Sequence, residues 1–122
     1  MTQLFFRTGA LLAALAVAMG AYTAHGGSFD ETRALWLEKA ARYQMYHALA
    51  LILTALICSR TEPAPTTATL AGWCFIGGIA LFSGSLYVMA FSSVSAGLIT
   101  PLGGLLFLAG WLLLAWAGIG RR

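Results

Sequence analysis

The amino-acid sequence predicts an all-α integral membrane protein: an antiparallel bundle of four transmembrane helices, with a short interfacial amphipathic helix between spans one and two. Three observations lead there. Of the 122 residues, 60% are hydrophobic and only 9% are charged, against about 25% charged in a soluble globular domain. A chain this short buries the smallest fraction of its surface on folding, so it cannot hide that much apolar surface from water in one core. The apolar residues are also gathered into separate runs whose lengths approach the ~20 residues that a spanning helix needs.

The runs are residues 4–24, 43–58, 70–91 and 101–119. Together they form one membrane domain over residues 1–122. The first, third and fourth are long enough to span directly. The first ends in "HGG", His25 to Gly27, where glycine readily takes the left-handed conformation that closes a helix. A cleaved signal peptide is the competing reading of this run. Tyr22 argues against it, because it would occupy the −3 position of a site after Ala24.

The second run is short unless helix continues upstream. "SFDE", Ser28 to Glu31, reads as a capping box with Ser28 at the cap. Residues 29–42 then mix Leu35, Trp36 and Leu37 with Glu31, Glu38, Lys39 and Arg42, with Glu38 and Arg42 at i,i+4. This predicts an amphipathic helix lying at the membrane interface and running into span two. "EPAP", Glu62 to Pro65, breaks the chain before span three. Thr100 is expected to cap span four, with Pro101 in the first turn.

Packing between helices in lipid relies on close van der Waals approach. Span one offers two rows of small residues at intervals of four, Ala10–Ala14–Ala18 and Ala16–Gly20–Ala24, and span three offers Ala80 and Gly84. These rows place span one at the centre of the bundle.

Lys and Arg flank the spans, as membrane topology produces, and no helix carries a basic stripe, so nucleic acid is excluded as a partner. Arg7, Arg60, Arg121 and Arg122 fall on one side, and Arg33, Lys39 and Arg42 on the other. The bias predicts both termini in the cytoplasm.

The informative stretch is "RYQMYHALALILTALIC", Arg42 to Cys58, which carries polar groups into an apolar run. At 100° per residue, Tyr43, His47, Thr54 and Cys58 fall within about 60° of one another, and that stripe should face protein. His25, Tyr43, Gln44, Tyr46, His47, Ser83, Ser85, Tyr87 and Thr100 all fall toward the half of the membrane opposite the termini. Ser85 lies about 9 Å deep, counted from Phe91. The set is a candidate polar cluster. Each member also has a plain structural role: His25 as a helix-end residue, His47 as hydrogen-bonded glue between helices, Tyr22, Tyr43, Tyr46 and Trp36 as interfacial anchors, Ser83 bonded to its own backbone. Cys58 and Cys74 are too few for a disulfide framework or a zinc site and read as small core residues. No cofactor is expected.

"MGAYTAHG" (Met19 to Gly26), "RYQMYHALAL" (Arg42 to Leu51), "LFSGSLY" (Leu81 to Tyr87) and "TPLGGLLFLAGWLLLA" (Thr100 to Ala115) together resemble the bacterial domain-of-unknown-function 423 family. The resemblance covers almost the whole chain. It implies a small multi-span protein of the bacterial inner membrane with no assigned reaction, and so carries no catalytic residues over. Thr23 stands where the family more usually has Gly.

The residues themselves leave three functions open. A non-enzymatic accessory or scaffold protein fits the lack of an acid, base or nucleophile set. Its partners would be the lipid bilayer, itself or a larger membrane complex. A small-molecule transporter or channel would have to work as an oligomer, because four short helices leave little room for a pathway within one protomer, and the lack of a charge at mid-depth argues against a proton or ion relay. A lipid, quinone, haem or metal binder would use His25, His47 and the tyrosines.

Overall fold

The structure, a computed structural model, describes residues 1–119. These form helices α1 (Thr2–His25), α2 (Glu31–Cys58), α3 (Thr66–Phe91) and α4 (Ile99–Ile119), with no strand among the described residues. Arg121 and Arg122, used above for orientation, lie outside the described residues. By length and composition α1, α3 and α4 could each cross a membrane.

Helix α2 is the backbone of the assembly. Its buried residues repeat at sevens, with Leu37, Gln44, Leu51 and Cys58 in one row. Ala40, Ala41, His47, Ala48, Thr54 and Ala55 lie beside that row. A 3.5-residue spacing keeps one seam facing its neighbours along the whole helix. The register on either side follows from side-chain pairs. Phe5 of α1 packs on Leu51 and Ala55, and Gly9 lies against Ala48 and Ile52. On the α3 side, Ser83 meets Ala40, Phe75 meets His47, and Cys58 clusters with Ala68. Residue numbers rise along one helix as they fall along the next.

The expectation that span one is central is therefore corrected. Only Phe5, Gly9 and Ala16 of α1 are buried. Ala10, Ala14 and Ala18 are exposed, as is Ala80. The helix that the sequence makes least apolar sits in the middle, because its polar residues are the ones that need protein around them.

Residues 29–42 are not a separate helix. The α2 hydrogen bonds run from Glu31 to Cys58 without interruption, and the inner face of the segment, Leu37, Ala40 and Ala41, is covered by protein. Its outer face carries the Glu38–Arg42 ion pair at 3.1 Å. The cap is also two residues later than expected. Asp30, not Ser28, accepts the Arg33 backbone N–H at 2.8 Å. The preceding Phe29 is held in a ring cluster with Tyr22 and Phe91, which brings α1 and α2 together across the turn. Gly26 ends α1 with φ −122°, not in the left-handed region. The turn is closed instead by the Tyr22 carbonyl, which accepts from both Gly26 and Gly27.

Helix α3 contains one π turn, Ile79–Ser83, in which the Gly84 N–H reaches back to the Ile79 carbonyl. Here α3 and α4 touch backbone to backbone. A Cβ on Gly103 would collide with the Phe82 main chain, and one on Gly78 with the Phe107 ring. Gly97, at φ 57°, turns the chain into α4. The outer surfaces of the helices are apolar, with Leu11, Leu112 and Trp116 exposed by 67%, 72% and 70%. Such a belt requires a solvent other than water.

Candidate functional site

The candidate residues fall into three hydrogen-bonded groups and two outliers. The first group joins α1, α2 and α3. The Gln44 amide donates to the Leu12 carbonyl at 2.7 Å, and its oxygen accepts from the Tyr87 phenol at 2.8 Å. One turn nearer the start of α2, Ser83 donates to the Ala40 carbonyl at 2.8 Å. The expectation that Ser83 bonds to its own helix is thereby corrected: its hydroxyl crosses to α2. A serine turned inward at a fully buried position finds there a carbonyl already bonded within its helix, whose second lone pair is open.

The second group joins α3 to α4. Ser85 is hydrogen-bonded to the Thr100 hydroxyl and to the Phe82 carbonyl. Thr100 is thus inside α4 rather than its cap. The Leu102 N–H bonds to the Leu98 carbonyl, so the helix starts two residues before the expected position of its first turn.

The third group centres on His47 and reaches α4. Its Nδ1 is 2.6 Å from the Tyr43 carbonyl, and its Nε2 is 3.1 Å from Trp111 Nε1. An indole nitrogen only donates, and a carbonyl only accepts. The two bonds therefore require one tautomer: neutral imidazole with the proton on Nδ1 and the lone pair on Nε2. The ring lies flat on Phe107, centroids 3.5 Å apart and planes within 5°. Both nitrogens and one face are occupied by protein. Metal coordination needs a free nitrogen lone pair, and the one at Nε2 is already taken.

His25 and Tyr46 are the outliers. His25 is exposed at the end of α1, and its imidazole forms no hydrogen bond with any described residue. It is not brought to His47, which removes the geometric basis for an axial histidine pair on a haem. Tyr46 is half exposed and touches Tyr43 edge-on. Tyr43 is half-buried against Phe82, centroids 4.9 Å apart. Cys58 is buried, and Cys74 lies partly buried on α3.

Sequence reasoning missed Trp111 and the Leu12 and Ala40 carbonyls. Trp111 is the only residue of "LAGWLLLA" with a polar hydrogen on its side chain, and that was the available signal. Beside the His47 group, the rings of Tyr43, Tyr46, Phe82, Phe107 and Trp111 frame a cavity of about 380 Å³. No three His, Cys, Asp or Glu side chains come together among the described residues.

Helices with an apolar outer belt, and polar side chains satisfied by one another inside, define a membrane protein of several helices. The chain belongs to the family described as "Protein of unknown function (DUF423)", whose model matches residues 19–104. It is 45% identical over 116 residues to a UPF0382 membrane protein of Staphylococcus haemolyticus, covering 92% of each chain. It is 39% identical over 121 residues to the UPF0382 membrane protein YwdK of Bacillus subtilis, covering 96% of this chain and 97% of the other. Similarity to a UPF0382 membrane protein of Haemophilus influenzae is 42% over 109 residues, 87% and 86% of the two chains. No solved structure matches the chain.

Proposed function

We propose that the chain crosses a bacterial cytoplasmic membrane four times as an antiparallel bundle with both termini in the cytoplasm. In this reading it catalyses no reaction and serves as a structural or accessory protein of that membrane, alone, with itself or in a larger complex. The polar cluster is the lock that fixes the four helices against one another.

The observation that carries this reading is that every buried polar side chain among the described residues, Gln44, His47, Thr54, Ser83 and Ser85, is bonded to protein. A catalytic group must present a free lone pair or proton to a substrate. In a hydrocarbon setting, internal pairing keeps polar groups tolerable and makes them register marks.

The fourth crossing would be α2. Its apolar part, residues 43–58, spans about 24 Å at 1.5 Å per residue, short of the ~30 Å hydrocarbon thickness. Arg42 and Lys39 would reach the interface by extending their stems, and Glu38 is already neutralised by Arg42. Residues 31–42 lie level with the ends of α1 and α3, since Ala40 meets Ser83 and Arg33 donates to the Ala90 carbonyl, so they would complete the crossing as a rigid continuation of the span, in place of a helix lying flat.

Thermal unfolding of the purified protein in detergent tests the lock. His47→Ala and Ser85→Ala should each lower Tm, and retention of the wild-type value by both would overturn it. Labelling by a membrane-impermeant maleimide, in a cysteine-free background, tests topology. Single cysteines at 25 and 100 should react from outside intact cells, and one at 62 only after lysis. Reaction of 25 and 100 from opposite sides would rule out four crossings.

A further inference from the structure

The His47 group leaves one space unexplained. We propose that the cavity framed by Tyr43, Tyr46, His47, Phe82, Phe107 and Trp111 holds the ring of a membrane-dissolved quinone, whose tail leaves past Leu108 into lipid. Binding needs no reaction, so the proposal stands apart from the non-catalytic reading above.

Five features of the cavity select this occupant. Its volume of about 380 Å³ sits at the small end of ligand sites and suits one ring or two fused rings. Its walls are almost all ring faces and edges. Tyr43 lies 12° from parallel to His47, and Trp111 meets His47 at 62°. A planar, electron-poor ring gains from stacking on phenol, benzene and indole, whereas an acyl chain is served equally well by leucines.

The donors point the same way. His47 and Trp111 are spent on each other, but the phenols of Tyr43 and Tyr46 form no hydrogen bond with any described residue. Tyr43 and Tyr46 flank Gln44, which meets Leu12 at the middle of α1; a phenol within hydrocarbon that lacks an acceptor is costly, and a quinone brings carbonyl oxygens. The space is also not a by-product of helix packing. A Cβ on Gly103 would strike the Phe82 backbone, but one on its neighbour Gly104 would meet only the Phe82 ring, at 3.9 Å. Gly104 lines the cavity, and its missing side chain keeps that wall low. Finally, Leu108 and Tyr46 at the mouth are 62% and 50% exposed, so the opening is on the outer surface of the bundle, where a tail can remain in lipid.

The test uses the full chain in lipid nanodiscs, with Trp36, Trp73 and Trp116 changed to Phe so that Trp111 alone fluoresces. The probe is a decyl-tailed dimethoxybenzoquinone. The expected result is saturable quenching at one probe per chain, a half-saturation raised at least tenfold by Gly104→Leu, and no displacement by dodecanol. Quenching that is linear, or the same in Gly104→Leu as in its parent, would show partition into lipid and overturn the site. Displacement by dodecanol would assign the cavity to acyl chains and equally overturn it. Should Gly104→Leu fail to fold, the Tyr43→Phe/Tyr46→Phe variant decides, since it removes the donors and keeps the space. A several-fold weaker half-saturation supports the proposal, and an unchanged one defeats it.

Discussion

Helices α3 and α4 meet in a different way from α1 and α2, although both pairs carry glycine and alanine at short intervals. Along α3–α4 three of the glycines are filled in by the partner. Gly78 takes the Phe107 ring, Gly103 the Phe82 backbone and Gly110 the Phe75 ring. Along α1–α2 only Gly9 is occupied in this way, by the Ala48 carbonyl and Ile52. Toward the other end the pair opens. A Cβ on Gly20 would meet nothing within 4 Å, and a groove of about 450 Å³ runs between Ala16, Gly20 and Ala24 on one side and Ala41, Arg42 and Met45 on the other. The four-residue spacing of small residues thus marks a gap in one pair and is not what draws the other together. A glycine reports close approach only where a neighbouring chain has moved into the vacancy.

Four substitutions would break or sharpen that contrast. Gly103→Leu should have the largest effect, a loss of about 3 kcal/mol or more, because a backbone, unlike a side chain, cannot turn aside. Unfolding in a detergent titration measures it, and a stable variant would mean that the α3–α4 contact is loose. His47→Ala comes next, at about 3 kcal/mol, from the orphaned Trp111 N–H plus the hole beside Phe107. His47→Phe, which restores the stack without the bond, should recover part of that loss.

Gln44→Leu should cost about 1 kcal/mol, the scale of a polar contact between membrane helices. It removes the one side-chain bond that ties α1 to α2 and leaves the Tyr87 phenol without its acceptor. Adding Tyr87→Phe should then cost little more, and a fully additive pair in a double-mutant cycle would show that the two side chains do not interact. Gly20→Ala should be smallest, within about 0.5 kcal/mol of wild type, since it enters open space. A large penalty there would show that the groove is closed in the membrane.

Much of this was legible in the residues. The apolar runs give the helices, and the 100° projection of α2 picks Tyr43, His47, Thr54 and Cys58, of which the last three are buried and Tyr43 half-buried. What escaped has a common physical origin. Ser83 and Gln44 bond to carbonyls of Ala40 and Leu12, and a main-chain acceptor leaves no mark in a sequence. Trp111 meets His47 only once the α2–α4 register is known, and that register follows from the glycine contacts of α3 with α4. Asp30 took the cap from Ser28 because Phe29 is held by Tyr22 and Phe91, a contact made across the turn and from a distant helix. Local rules rank the candidates for such positions, and tertiary contacts choose among them.

The imidazole clamped between Phe107 and Trp111 has a practical use. Because its tautomer is dictated by the Tyr43 carbonyl and the Trp111 N–H, its nitrogen-15 resonances should show one pyridine-like and one pyrrole-like nitrogen, without averaging. Ring current from the stacked benzene should shift the carbon-bound protons of the same residue upfield. Loosening of α4 from α2 would remove the ring-current shift and the Trp111 bond to Nε2 while sparing the Tyr43 bond within α2, which gives this small bundle a built-in spectroscopic gauge of whether it is closed.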